Sequence, residues 1–173
     1  SVNITTSCSA NVTGLLASEG TNTWTVYAND TFGNENNSFA VFVLDTISPA
    51  VELLYPVSDN YSSSPTTLNF SVNDTNLDTC WYSTNSSVNI TTSCSANVTG
   101  LLASEGVNTW AVYVNDSVGN ENWTSIVFGY DSIEPGISVV YPIDTNYSSS
   151  PTTLNFSVND TNLDTCWYST NSS

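Results

Sequence analysis

The 173-residue chain contains no Lys, Arg or His, carries 16 Asp and Glu, and has a formal net charge of −16. Phosphate contacts and docking on anionic lipid both need Lys or Arg, so nucleic acid and charged membrane surfaces are excluded as partners. Hydrophobic residues at 39% and aromatics at 12% suffice for packed cores and do not match the signature of a disordered chain.

The longest apolar runs are of the Ala40–Leu44 kind, far short of the roughly 20 residues that a membrane helix needs. No basic-then-apolar leader opens the chain and it does not begin with Met, so it reads as a mature or excised segment. The sequence also repeats itself. Residues 87–106 restate residues 1–20 word for word, and residues 147–173 restate residues 61–87, so Ser1, Ser87 and Ser173 mark one position of an 86-residue unit.

In the first copy, Trp24, Val26 and Ala28 alternate with Tyr27 and Asn29, and Ala40, Phe42 and Leu44 form the inward face of a last strand. Asp45-Thr46-Ile47-Ser48-Pro49 leads directly into the next strand, where Val51, Leu53 and Tyr55 alternate until Pro56 ends the ladder. Residues 66–74 set Leu68, Phe70 and Val72 on one face, with Asn69 and Asn73 on a polar face toward solvent.

Leu77–Ser83 is a third strand and Asn89–Ser95 a fourth, joined by a turn centred on Ser87 that sets Cys80 opposite Cys94 and Tyr82 opposite Thr92. Cys80 and Trp81, as strand neighbours, point to opposite faces, and Trp81 is placed inward with the disulfide on the other side. Asn97–Leu102 is a short fifth strand with Val98 and Leu102 inward. Asn108–Asp116 has the clearest alternation: Trp110, Val112 and Val114 face in, and Ala111, Tyr113 and Asn115 face out. After the turn Gly119–Asn122, Ile126, Phe128 and Tyr130 face inward on the last strand.

Seven short strands with no helical periodicity predict an all-β fold of tandem antiparallel β-sandwiches. One complete domain spans residues 48–133, between the C-terminal part of a domain (1–47) and the N-terminal part of another (134–173). The links Asp45–Pro49 and Asp131–Pro135 leave few free residues, and each ends in a proline, which predicts stiff joints and a rod of domains.

The succession Cys-Trp-Tyr-Ser, a second Cys, Ser-Glu-Gly, Trp-x-Val-Tyr-x-Asn-Asp and Gly-Asn resembles the immunoglobulin-like repeats of large archaeal, and some bacterial, surface proteins. The resemblance covers the whole chain and implies extracellular tandem arrays without naming a ligand. It departs from antibody-type domains, whose disulfide joins the two sheets, because Cys80 and Cys94 are too close in sequence.

Without His or a CxxC motif, the cysteines read as disulfide-forming and not as a zinc site, which implies an oxidising, extracellular compartment, and the resemblance implies a cell surface. A Cys80–Cys94 bond closing a loop of roughly 15 residues contributes about 3 kcal/mol in the chain-entropy model. Cys8 and Cys166 lack partners in their own parts and are expected to pair with the equivalent cysteine of an adjoining repeat or subunit.

N-glycosylation sequons fall at Asn3, Asn11, Asn29, Asn36, Asn60, Asn69, Asn73, Asn85, Asn89, Asn97, Asn115, Asn122, Asn146, Asn155, Asn159 and Asn171, and N-linked glycans are expected on outward faces. Asp30, Glu35, Asp45, Asp116, Glu121 and Asp131 gather near the inter-domain end and are calcium candidates, although Asn-Asp pairs are also ordinary turn chemistry. No other cofactor is expected.

Asp74 and Asp78 have the residue types of a glycosidase pair, but a turn explains them equally well, and the chain reads as a non-enzyme. The expected function is structural: a filament, stalk or surface fibre associating with itself head to tail. The alternative is an adhesin whose exposed aromatics, such as Tyr27, Tyr113 or Trp123, stack on glycans or on neighbouring cells.

Overall fold

The computed structural model describes residues 3–171; Ser1 and Ser173, the outer marks of the repeat, lie outside them. Twelve strands and no helix occur among the described residues: β1 (Gly20–Asn29), β2 (Glu35–Leu44), β3 (Ala50–Tyr55), β4 (Asn60–Tyr61), β5 (Thr67–Asn73), β6 (Leu77–Thr84), β7 (Ile90–Thr92), β8 (Val98–Thr99), β9 (Gly106–Asp116), β10 (Glu121–Tyr130), β11 (Gly136–Tyr141) and β12 (Asn155–Asn159). Accordingly, no helix among them is long and apolar enough to cross a membrane.

Strands β3 to β10 build two sheets, one ordered β3-β5-β8 and the other β4-β10-β9-β6-β7. Their facing residues form one core: Leu68 and Phe70 from β5 meet Tyr82, Trp110, Val112 and Phe128 from β6, β9 and β10. Trp110, Val112 and Leu68 are completely buried. The period-two pattern of β9 produces this arrangement, because alternate side chains of a strand point to opposite faces. Trp110 meets Phe128 edge to face at 5.1 Å, as its counterpart Trp24 meets Phe42 at 5.0 Å.

The central hairpin differs from the expected register. Cys80 stands opposite Thr92, Trp81 opposite Thr91 and Tyr82 opposite Ile90, a shift of two residues. Asn85 and Ser86 both adopt positive φ, 52° and 60°, and the Ser87 N–H donates to the Thr84 carbonyl at 3.0 Å. Positive φ at both central positions marks a type I′ turn over Asn85-Ser86, and one extra residue between Ser87 and Ile90 brings Tyr82 opposite Ile90.

Trp81, expected inward, faces outward instead. It lies opposite Tyr113, while Cys80 and Tyr82 lie opposite Val114 and Val112. Directly paired residues share a face, so the inward placement of Val112 and Val114 takes Cys80 and Tyr82 with it and leaves Trp81 outside. The disulfide therefore begins on the core side, where Cys80 is fully buried.

The fifth strand shrinks to Val98–Thr99. Gly100 turns the backbone with φ +77°, so Leu101 and Ala103 pack on the core in place of the expected Leu102, which is 76% exposed. Strand β4 has two residues, too few for any sequence period, and runs parallel to β10 through Asn60 and Tyr61.

On either side, β1 pairs only with β2 and β11 only with β12. Each pair carries the same alternation as the module yet leaves its apolar face open, with Val26 60% and Ile137 70% exposed.

Candidate functional site

Three features have the makings of a site: the joint before the module, the stapled hairpin, and the outer face of the five-stranded sheet. At the joint, residues 45–49 are tied to the module by asparagine side chains. The Asn76 amide donates to the Asp45 carboxylate at 2.7 Å, that of Asn120 to the Asp45 carbonyl at 3.2 Å, and that of Asn122 to the Pro49 carbonyl at 2.9 Å. Pro49 itself is fully buried.

The preceding turn joins in, because Thr46 donates its N–H and hydroxyl to Glu19. The joint after the module repeats these contacts: Ser132 donates its N–H and hydroxyl to Glu105, and Asn162 donates to the Asp131 carboxylate at 2.7 Å.

The same joint gathers acid. Carboxylate oxygens of Asp45, Asp74 and Asp116 lie within 4.8 Å of one another. Of the six calcium candidates, only Asp45 and Asp116 meet in this group, and its third member is Asp74. Glu35 and Glu121 are instead strand residues opposite Asn29 and Asn115. Asp45, Asp74 and Asp116 are thus the described residues that could hold a divalent cation through oxygen ligands.

Each of these carboxylates already accepts hydrogen bonds. Asp116 Oδ1 takes the N–H groups of Val118 and Asn120 at 3.0 and 2.9 Å, and its Oδ2 takes the Asn120 amide at 2.7 Å. Asp45 accepts from Ile47 and Asn76, and Asp74 from the Asn76 N–H at 2.7 Å. These donors hold the carboxylates together in a chain without a cationic side chain.

Burial opposes ionisation of Asp116, but the donors of Asn120, Val118 and Gly119 outweigh it and bring its pKa below the usual value. Asp30, its counterpart in the first copy, is lowered by the side chain and N–H of Asn34. Asp131 is lowered by the Ile133 N–H and the Asn162 amide. Asp78 is exposed and accepts from the Thr79 hydroxyl.

Cys80 and Cys94 form a disulfide across a separation of 14 residues, with Cα atoms 5.3 Å apart. Cys94 lies beyond the last residue of β7, so the bond reaches diagonally past the ladder. The turn is anchored to β9 through Asn85, whose N–H and side-chain oxygen bond Thr109 at 2.7 and 2.8 Å. The Asn85 amide donates to Asn108 at 2.8 Å. Asn108 is fully buried and also ties together Ser104 and Gly106. Cys8 and Cys166 are exposed free thiols.

Fourteen of the sixteen sequon asparagines are exposed; Asn69 and Asn115 are half-buried. The outward placement expected of Asn69 is therefore incomplete, and its side-chain oxygen is buried without a hydrogen-bond partner. Asn115 accepts from the Thr79 N–H at 2.9 Å. In Asn85 and Asn122 the amide nitrogen that a glycan would modify is engaged with Asn108 and Pro49.

On the outer face, Trp81, Tyr113 and Trp123 lie in one row across β6, β9 and β10. Both successive ring pairs stack with centroids 5.9 Å apart. Tyr113 and Trp123 were recognisable as outward aromatics in the sequence, but Trp81 was not. Tyr27 is 60% exposed in β1, where Asn37 stands opposite it in place of an indole.

No protein-family model, curated protein or solved structure matches the chain.

Proposed function

We propose that this chain is a structural component of an extracellular filament, stalk or surface fibre, built from disulfide-stapled, N-glycosylated immunoglobulin-like modules that associate with their own kind head to tail. The observation that carries this reading is the contrast between equivalent residues. Trp110 and Val112 are completely buried, whereas Trp24 and Val26, at the same positions of the first copy, are 41% and 60% exposed.

What covers Trp110 in the module is the sheet carrying Leu68 and Phe70. Their equivalents Leu154 and Phe156 are 42% and 46% exposed. The face around Trp24 therefore fits a segment of the chemistry of β11 and β12, and two such faces brought together bury both. Apolar surface of this extent on a soluble chain marks an interaction site. A head-to-tail contact that does not close on itself generates a linear polymer. The covering segment comes either from an adjoining repeat of a longer polypeptide or from a second copy, and the chemistry is the same.

The immunoglobulin-like reading is supported by the three- and five-stranded sheets packed on one core and by the short β4 running parallel to β10. Docked joints support the mechanical role, since the asparagine bonds at residues 45–49 transmit tension between successive modules. Absence of Lys and Arg removes the cleavage sites of trypsin-like proteases, in keeping with an exposed location.

Cysteine exchange tests the proposal. In the module, Cys80 pairs with Cys94, so Cys166 of one copy is expected to pair with Cys8 of the next. The oxidised chain should give a ladder of covalent oligomers on a non-reducing gel that collapses on reduction. Cys8→Ser and Cys166→Ser should each stay monomeric alone, and their mixture should give a dimer. Homodimers in both single variants, or an unmodified chain that never crosslinks, would contradict pairing between copies.

A further inference from the structure

Residue pairing across the five-stranded sheet sets two rows side by side on its outer face: Trp81, Tyr113 and Trp123, then Ser83, Ala111 and Ser125. Large rings next to small side chains leave a depression of about 410 Å³. Ala111 floors it, Tyr113 and Trp123 wall one side, and Asn89 and the hairpin turn border the other. Trp123 is 60% exposed although it belongs to the ring stack. Nothing in the fold requires an exposed indole there, since the first copy carries Asn37 at the same position.

We infer that this depression is a binding platform for a neutral carbohydrate. Its lining offers hydroxyls, aromatic rings and one side-chain amide, that of the sequon residue Asn89, and includes no carboxylate and no cation. Aromatic rings pack against the apolar C–H surface of a sugar, and neighbouring hydroxyls and amides exchange hydrogen bonds with sugar hydroxyls. An anionic glycan is repelled by the net charge of −16 and meets no Lys, Arg or His. A cationic ligand would need a carboxylate in the depression.

The first copy shows how the platform is lost. There Thr25, Asn37 and Phe39 replace Ala111, Trp123 and Ser125, so the floor rises, the indole is gone and a phenyl ring stands where Ser125 leaves room. These replacements occur in a strand pair that keeps the same inward Trp and Phe. Outer face and core thus differ independently between the two copies of this strand pair.

The test is an intrinsic tryptophan fluorescence titration of the full chain, produced without N-glycosylation, against cellohexaose, chitohexaose and mannohexaose, with heparin as the anionic control. A saturable change with at least one neutral oligosaccharide at millimolar concentration or below is expected. Trp123→Asn, the first copy's own residue, should weaken that binding about tenfold or more without moving the unfolding midpoint. Ser125→Phe, also taken from the first copy, should abolish binding while every platform aromatic remains. No saturable response to any of the three, equal binding by both variants, or tighter binding of heparin would overturn the proposal.

Discussion

Substituting one tryptophan position in its two environments separates what holds the module together from what joins one module to another. Trp110 is completely buried, and truncating such a residue to alanine costs about 3–5 kcal/mol. Its Nε1–H is buried without an acceptor, an arrangement that itself costs about 1–3 kcal/mol and is relieved when the indole is removed. The expected loss for Trp110→Ala is therefore at the lower end, about 3 kcal/mol. A module of roughly 80 residues has about 4–12 kcal/mol in total, so the variant stays folded with about 1–9 kcal/mol left. Its thermal midpoint should fall by on the order of 12–24 °C.

Trp24→Ala removes the same side chain from β1, which pairs only with β2. It should change module stability by less than about 0.5 kcal/mol, as substitutions outside the packed core do. It should instead weaken self-association at least about thirtyfold, the mark of a residue central to an interface. Urea unfolding followed by circular dichroism reads the first quantity, and sedimentation velocity over a concentration series reads the second. Equal destabilisation of the module by both variants would refute the reasoning, as would a loss below about 1 kcal/mol for Trp110→Ala.

Replacing Cys80 and Cys94 together by alanine, which avoids burying a new hydroxyl at the Cys80 site, should lower unfolding free energy by about 3 kcal/mol; urea midpoints with and without the bond check it. The lowered pKa of Asp116 sets an acid limit. A carboxyl that ionises more readily folded than unfolded stabilises fully above its unfolded value of about 3.9, and that contribution disappears as pH falls through the lower folded value. Asp116→Asn should therefore flatten the decline of the thermal midpoint below about pH 4. Asn122→Ala removes one bond to Pro49 and should raise amide exchange across residues 46–50 by a factor corresponding to about 1 kcal/mol, leaving exchange in β9 unchanged.

The core and the strands were legible because β3, β5, β9 and β10 alternate cleanly, and alternation with one buried face specifies register. The hairpin was misplaced because its turn type depends on backbone angles at Asn85 and Ser86 that residue spacing does not reveal. The sides taken by Trp81 and Cys80 are a separate matter: a two-residue shift keeps parity, and it is the pairing of β6 with β9 that turns Cys80 inward and Trp81 outward. Leu102 was misassigned for a similar reason: Gly100 ends the strand and reverses the parity of the residues after it.

The acidic group at the joint shows a different gap. Asp45 and Asp116 were recognisable as acids near one end of the module, but Asp74 reaches them from another strand connection. The asparagines that bind all three, Asn76 and Asn120, look like turn residues in the sequence. The outer platform was half legible, through Tyr113 and Trp123, and lacked Trp81 because the β6–β9 pairing that fixes its side does not show in the residue spacing.

Electron microscopy of the purified, oxidised 173-residue chain tests head-to-tail association most directly. Unbranched fibres of uniform width are expected, with an axial repeat of two modules, the two 86-residue units of one chain, and dispersal by Val26→Asp, a charge on the face that should be covered. Isolated particles of monomer size, or fibres unchanged by Val26→Asp, would contradict it.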